Sequence, residues 1–119
     1  MTDLYKLRQY GRQTAVVFQT PSLMNQADVE RLRGDLVRMV DEEKRTRLIL
    51  DFAQVQFLSS QVVGLLLSLL KKVTALKSAD GGAELVLCGL RPQVLDLLKI
   101  TRLDRLLTIK PTRKEAIAE

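Results

Sequence analysis

The chain has 119 residues, of which 46% are hydrophobic and 28% charged, with six Gly and three Pro. This length and composition predict a single globular domain over residues 1–119 with its own hydrophobic core, and they exclude a fibrous or disordered chain. The net charge is +5, but basic and acidic residues are interleaved, and two Tyr and three Phe are the only aromatic residues. We therefore expect no direct binding to nucleic acid.

Composition also limits the chemistry that the chain can perform. The absence of histidine excludes imidazole catalysis and His-ligated metal sites, and a single cysteine excludes a thiolate zinc site. Cys88 lies in an apolar run and is expected to be a small core residue, which suits a reducing cytoplasm. The most apolar window, residues 62–70, is too short to span a bilayer, so no direct membrane insertion is expected. These features predict a cytoplasmic binding protein that is not an enzyme and uses no cofactor.

The first third of the chain predicts a hairpin followed by an amphipathic helix. Residues 4–10 and 15–18 are β-prone runs on either side of a tight turn at residues 11–12, as in an antiparallel hairpin. Asn25 can cap a helix, and Asp28 places a negative charge near the positive helix end. The predicted apolar stripe of this helix consists of Val29, Leu32, Leu36, Met39 and Val40.

The centre of the chain predicts a buried strand that leads into a long helix. Residues 48–50 are three consecutive large aliphatics, typical of a strand buried on both faces, and Asp51 follows as a turn-stabilising carboxylate. From Ser60 onward apolar residues recur at steps of three and four, which predicts a helix. Ser60 is expected to cap this helix by accepting a hydrogen bond from a backbone N–H near Val63. A turn cluster at residues 78–82 should end it.

The last third predicts two more strands and two more helices. Residues 84–88 resemble an interior strand, residues 106–109 a final short strand, and Thr112 with Glu115 the capping box of a brief helix. Pro92 suits the first turn of the helix between these strands. Its inward-facing residues should be Val94, Leu95, Leu97 and Leu98. The order of elements predicts an α/β fold, with a small mixed β-sheet, an N-terminal antiparallel hairpin and about four packed helices.

The helix after Ser60 carries more apolar residues than one small sheet should cover. An exposed remainder would form a docking patch, and Gly64 with Ser68 adds a smooth strip on which another surface could pack closely. A phosphate on Ser60 would be tolerated by the helix N-terminus but not by an apolar partner. The simpler alternative is that Ser60 only caps the helix and the leucines only pack on the sheet. The apolar residues concerned are Val62, Leu65, Leu66, Leu69 and Leu70.

Residues 51–60, with the sequence DFAQVQFLSS, and the apolar helix that contains Gly64 resemble the signature region of bacterial STAS domains, the anti-sigma factor antagonists. The similarity extends over nearly the whole chain and implies a single STAS domain. It also implies a switch. The unphosphorylated protein binds an anti-sigma factor that is also a serine kinase and frees the sigma factor, and phosphorylation of a serine at the helix start ends this contact. Further similar segments are the opening hairpin, Gly81-Gly82, the strand ending in Cys88, and residues 90–92 and 100–103.

The resemblance also implies site residues. Ser60 takes the position of the phosphoacceptor, with Ser59 as the second choice, while Met24 and Asn25 lie in a loop that often contacts the partner. The implied partner-binding residues are Met24, Asn25, Ser59, Gln61, Gly64, Leu65 and Ser68.

The motif at Ser60 departs from the usual Asp-Ser-Ser-Gly or Asp-Ser-Thr-Gly, because Ser59 replaces the acidic residue and Val62 the glycine. This departure keeps open a second hypothesis, a phosphorylation-independent STAS module that docks on a transporter or a signalling scaffold. A third hypothesis is a nucleotide-binding or enzymatic domain, since some relatives bind nucleotides. The sequence defines no oligomeric state.

Overall fold

Seven strands and four α-helices make up the computed structural model, which describes residues 4–80 and 83–117, without the side chains of residues 77–80. The strands are β1 (Tyr5–Tyr10), β2 (Gln13–Phe18), β3 (Ser22–Leu23), β4 (Arg47–Asp51), β5 (Phe57–Leu58), β6 (Glu84–Cys88) and β7 (Thr108–Lys110). The helices are α1 (Gln26–Asp41), α2 (Ser60–Asp80), α3 (Pro92–Ile100) and α4 (Arg113–Ala116), with a short 3-10 helix at Leu103–Arg105.

The central sheet has five strands in the order β1-β2-β4-β6-β7. The β1–β2 pair is antiparallel and the other pairs are parallel, so the sheet is mixed. The β1–β2 turn has Gly11 at a φ of +62°, which glycine adopts without strain in a two-residue hairpin loop. The predicted α/β fold with an N-terminal antiparallel hairpin is therefore confirmed.

Helices cover both faces of this sheet, which explains why its inner strands lack polar alternation. Alternate strand residues such as Leu48 and Leu50 face α1 and α2 in the larger hydrophobic cluster. The residues between them, such as Ile49 and Cys88, form a smaller cluster with Ala116 of α4 on the other face. The predicted burial of residues 48–50 is confirmed.

The predicted helix starts are largely confirmed. Asn25 caps α1, with its side-chain Oδ1 accepting a hydrogen bond from the backbone N–H of Asp28 at 3.2 Å, and every residue of the predicted apolar stripe is buried. Pro92 begins α3. Thr112 caps α4 by accepting a hydrogen bond from the backbone N–H of Glu115 at 3.2 Å.

Several predicted boundaries are wrong. Helix α2 continues to Asp80, so residues 78–80 are helical, and Gly81-Gly82 lie outside the described residues. The last strand begins at Thr108 because the backbone N–H of Leu107 bonds to the carbonyl of Leu103, which extends the preceding helical turn.

The predicted inward face of α3 is confirmed in part. Val94 and Leu98 are buried, whereas Leu95 and Leu97 are only half-buried. No described helix combines the length and the hydropathy that crossing a membrane would require.

Candidate functional site

A two-stranded parallel sheet brings the starts of α1 and α2 together. Strands β3 and β5 pair with Leu23 opposite Leu58, and the backbone N–H of Ser59 donates to the carbonyl of Leu23 at 3.1 Å. Because paired parallel strands run in the same direction, Met24-Asn25 leaves β3 beside Ser59-Ser60 leaving β5. We call this surface, formed by residues 24–25 and 59–61, the paired helix start. In the sequence, the residues of the paired helix start belong to two separate loops, and in the structure these loops lie side by side.

Ser60 is the first residue of α2 and is exposed. The prediction that it caps the helix is wrong, because no described backbone amide donates to its hydroxyl and the preceding residue, Ser59, takes the cap position. The carbonyl of Ser59 accepts a hydrogen bond from the N–H of Val62 at 3.1 Å, while its Oγ is buried without a partner among the described residues. The hydroxyl that is open to modification therefore belongs to Ser60.

The outward face of α2 is small and polar. Ser60, Gln61, Gly64 and Ser68 are all exposed, and their spacing places them on one side of the helix. A Cβ atom built on Gly64 would meet no atom within 4 Å. Another protein surface could therefore approach the α2 backbone closely at this position.

The prediction that Leu65 contributes to docking is wrong, because its side chain is only 1% exposed. Most of the apolar residues of α2 lie in the larger hydrophobic cluster, which also includes residues of α1, α3 and the 3-10 helix. Leu36, Leu98 and Leu103 belong to the same cluster. The expected leucine patch is consequently enclosed, apart from half-buried Val63, Leu67 and Leu70.

Exposed apolar surface comes instead from Met24, within the paired helix start, and from Phe57 beside it, which are 54% and 56% exposed. Both line an open groove of about 380 Å³, together with Val94 and Leu97 of α3. The sequence did not predict that Phe57 is exposed. Its strand partner Ser22 lies in a segment too short to show a periodic pattern, so no sequence signal indicated that Phe57 faces outward.

The local electrostatics favour an anion at Ser60. The first turn of α2 contains no acidic residue. The adjacent start of α1 adds a second positive helix end, although Asp28 lies in its first turn. A phosphate on Ser60 would therefore meet unneutralised backbone N–H groups of α2.

Asp51 and Cys88 lie at the carboxyl ends of β4 and β6 and serve the fold. Asp51 Oδ1 accepts a hydrogen bond from the backbone N–H of Ala53 at 2.9 Å, which confirms its turn-stabilising role, and its Oδ2 lies 3.6 Å from Nη1 of Arg113. Burial raises the pKa of the Cys88 thiol to about 12, and the charge of Asp51 adds to the rise. The thiol is therefore neutral and a poor nucleophile. Among the described residues no three side chains of His, Cys, Asp or Glu are grouped to hold a metal ion.

Comparison with known proteins identifies the family. A model of the STAS domain matches residues 6–116, and the chain belongs to this family. A protein of Bordetella bronchiseptica named anti-sigma factor antagonist BtrV is 30% identical over 96 residues, covering 81% of this chain and 78% of that protein.

Solved structures agree with the fold. An anti-sigma factor antagonist STAS domain protein from Planctomyces limnophilus has a TM-score of 0.79 at 19% identity, and the match covers 95% of this chain and 93% of the Planctomyces chain. Phosphorylated SpoIIAA of Bacillus, a cell fate determinant, has a TM-score of 0.72 at 20% identity, and the match covers 95% of this chain and 96% of the SpoIIAA chain. These likenesses confirm the STAS fold that the sequence predicted.

Proposed function

We propose that this chain is an anti-sigma factor antagonist that binds an anti-sigma factor through the paired helix start and the outward face of α2. The observation that carries the proposal is the exposed Ser60 at the first residue of α2, beside Met24 and Asn25, in a chain of the STAS family. The name of its Bordetella relative supports the same role. The chain acts by binding in the cytoplasm and not by catalysis.

We further propose that the anti-sigma factor is a serine kinase and that its phosphorylation of Ser60 ends the contact. A phosphoserine carries about 1.5 to 2 negative charges at neutral pH. The N–H groups at the start of α2 stabilise this charge, so the modified chain stays folded. A partner that covers Met24 and Phe57 would have to desolvate the phosphate, and this cost weakens binding by orders of magnitude.

Mass spectrometry tests the covalent step. The tagged chain is isolated from its own host, and trypsin releases residues 48–71 as one peptide that contains Ser59, Ser60 and Ser68. Fragmentation should place the phosphate on Ser60. The Ser60→Ala variant should lack it, and the matched Ser59→Ala variant should retain it. An unmodified Ser60 in chains isolated with and without their bound partner would refute the switch.

The second candidate function, a STAS module that docks without phosphorylation, is favoured by Val62. This residue replaces the glycine of the usual motif and is only 1% exposed, so it anchors the start of α2 in the core. If Val62 fixes the start of α2 in this way, phosphorylation of Ser60 would change the conformation of this region less. Binding of the copurified partner by Ser60→Ala and Ser60→Glu distinguishes the two functions. Equal affinity favours the unswitched module, whereas selective loss in Ser60→Glu favours the switch.

A further inference from the structure

Strand β1 forms one edge of the five-stranded sheet and, among the described residues, pairs only with β2. It is six residues long, and four consecutive residues within it are exposed. The opposite edge, β7, has only three residues and is followed by Pro111, which has no backbone N–H to offer. Since unpaired strand edges are templates for strand addition, β1 is the edge that could accept another strand.

The register of the hairpin shows which backbone groups of β1 face outward. The N–H of Gln19 donates to the carbonyl of Leu4 at 2.7 Å, just before β1 begins. Hydrogen-bonded pairs alternate along an antiparallel ladder, so the even-numbered residues of β1 bond to β2. The N–H and C=O groups of Tyr5, Leu7 and Gln9 therefore point away from the sheet.

The side chains of β1 differ between its two faces. Lys6 and Arg8 lie opposite Val17 and Ala15, on the face that α4 covers, and are exposed. Neither makes an ion pair with a carboxylate in the part of the chain that the structure describes. On the α1 face Leu7 is 40% exposed and lies between two hollows of about 240 and 560 Å³.

We propose that the β1 edge binds an extended acidic segment of another protein as an additional strand of the sheet. Backbone groups of Tyr5, Leu7 and Gln9 supply the ladder. Acidic side chains at alternate positions of the segment pair with Lys6 and Arg8, and an apolar side chain between them packs on Leu7. This surface is separate from the paired helix start.

The same charges make a second copy of the chain a poor occupant. Antiparallel pairing of two β1 strands about Leu7 would place each Lys6 opposite Arg8 of the other copy, and like charges in opposed positions destabilise a strand pair. Charged edge strands commonly prevent self-association in this way. Repulsion of a basic strand and attraction of an acidic strand follow from the same two side chains.

Amide hydrogen exchange measured by NMR tests this mode. The probe is an end-blocked synthetic peptide that alternates glutamate and valine, and the control peptide alternates lysine and valine. The glutamate peptide should slow exchange at Tyr5, Leu7 and Gln9, while Lys6 and Arg8, already bonded to β2, remain unchanged. Unchanged exchange at all three odd-numbered amides in excess peptide would overturn the proposal.

Two variants separate the backbone and charge contributions. Leu7→Pro removes one outward N–H without touching the β1–β2 ladder and should abolish binding. Lys6→Glu with Arg8→Glu should weaken glutamate-peptide binding by at least about tenfold and create binding of the lysine peptide. The control, Lys71→Glu with Lys114→Glu, changes the net charge equally at exposed positions elsewhere and should bind like the wild type.

Three outcomes would contradict strand addition by an acidic segment. Equal weakening by the control pair would show a general charge effect. Protection of the odd-numbered amides by single-stranded DNA to the same extent would show a site for any polyanion. Protection of these amides at high protein concentration without peptide, with a dimer in sedimentation, would show that a second copy occupies the edge.

Discussion

Replacing Gly64 with alanine should stabilise the free chain and weaken its partner binding at the same time. Gly64 is exposed in the interior of α2, and a Cβ atom there would meet nothing within 4 Å. The added methyl group therefore causes no clash in the free chain and removes the flexibility that makes glycine a weak helix former. If a partner packs closely against this strip, the same methyl group occupies space that the partner needs.

The gain in stability follows from helix propensity. Alanine is favoured over glycine by about 1 kcal/mol within a helix. With a denaturant dependence of about 2 kcal/mol per molar urea, the midpoint of unfolding should rise by about 0.5 M. Urea titration followed by circular dichroism measures this shift, and calorimetric titration with the copurified partner measures the loss of affinity.

Gly34 provides the matched control. It is exposed within α1, and a Cβ atom there also meets nothing within 4 Å, so Gly34→Ala should stabilise the chain by a similar amount. It belongs to α1 and lies outside the strip of Gly64 and Ser68 on α2, so Gly34→Ala should leave partner affinity unchanged. If the urea midpoint falls in Gly64→Ala but rises in Gly34→Ala, the added methyl group at position 64 must clash, and the space at Gly64 is not open. Unchanged partner affinity in Gly64→Ala would refute contact along this strip.

Three further predictions concern stability. Asn25→Ala should lower the free energy of unfolding by about 1 kcal/mol in urea titrations, because the N–H of Asp28 loses its cap, and a change near zero would contradict the observed bond. Burial raises the pKa of Cys88 to about 12, so the thiol ionises first in the unfolded chain, and stability should fall as the pH rises from about 9 towards 12. Urea titrations across this range should show a shallower fall for Cys88→Ala, and an identical fall would exclude the thiol as a cause. Arg102 has a φ of +64°, so Arg102→Gly should raise the melting temperature by relieving backbone strain, whereas Arg105→Gly, at a position without positive φ, should lower it.

The parts of the fold that follow from local pattern could be predicted from the sequence. The stripe of α1 repeats at helical spacing, and all five of its residues are buried. Residues 48–50 form an unbroken aliphatic run because clusters on both faces of the sheet enclose them. In each case the signal lies within a few neighbouring residues, and burial enforces it.

The arrangement of the site could not be predicted in the same way. Strands β3 and β5 have two residues each, and their pairing joins segments more than 30 residues apart. Leu65 likewise lies in one hydrophobic cluster with Leu98 and Leu103, which come from later elements. The number of apolar residues on α2 indicates how much apolar surface must be buried, but not which neighbouring elements bury it.

Helix α1 connects the two proposed binding surfaces, and its packing determines how strongly they interact. Its cap residue Asn25 lies at the paired helix start, and Asp35, further along the helix, accepts a hydrogen bond from the hydroxyl of Tyr5 in β1 at 2.8 Å. A strand added at β1 uses outward backbone groups and need not break this bond. Because α1 buries its apolar stripe in a close-packed core, it resists small displacements. We therefore expect the β1 edge and the Ser60 surface to bind independently, so that one chain can hold two partners at once.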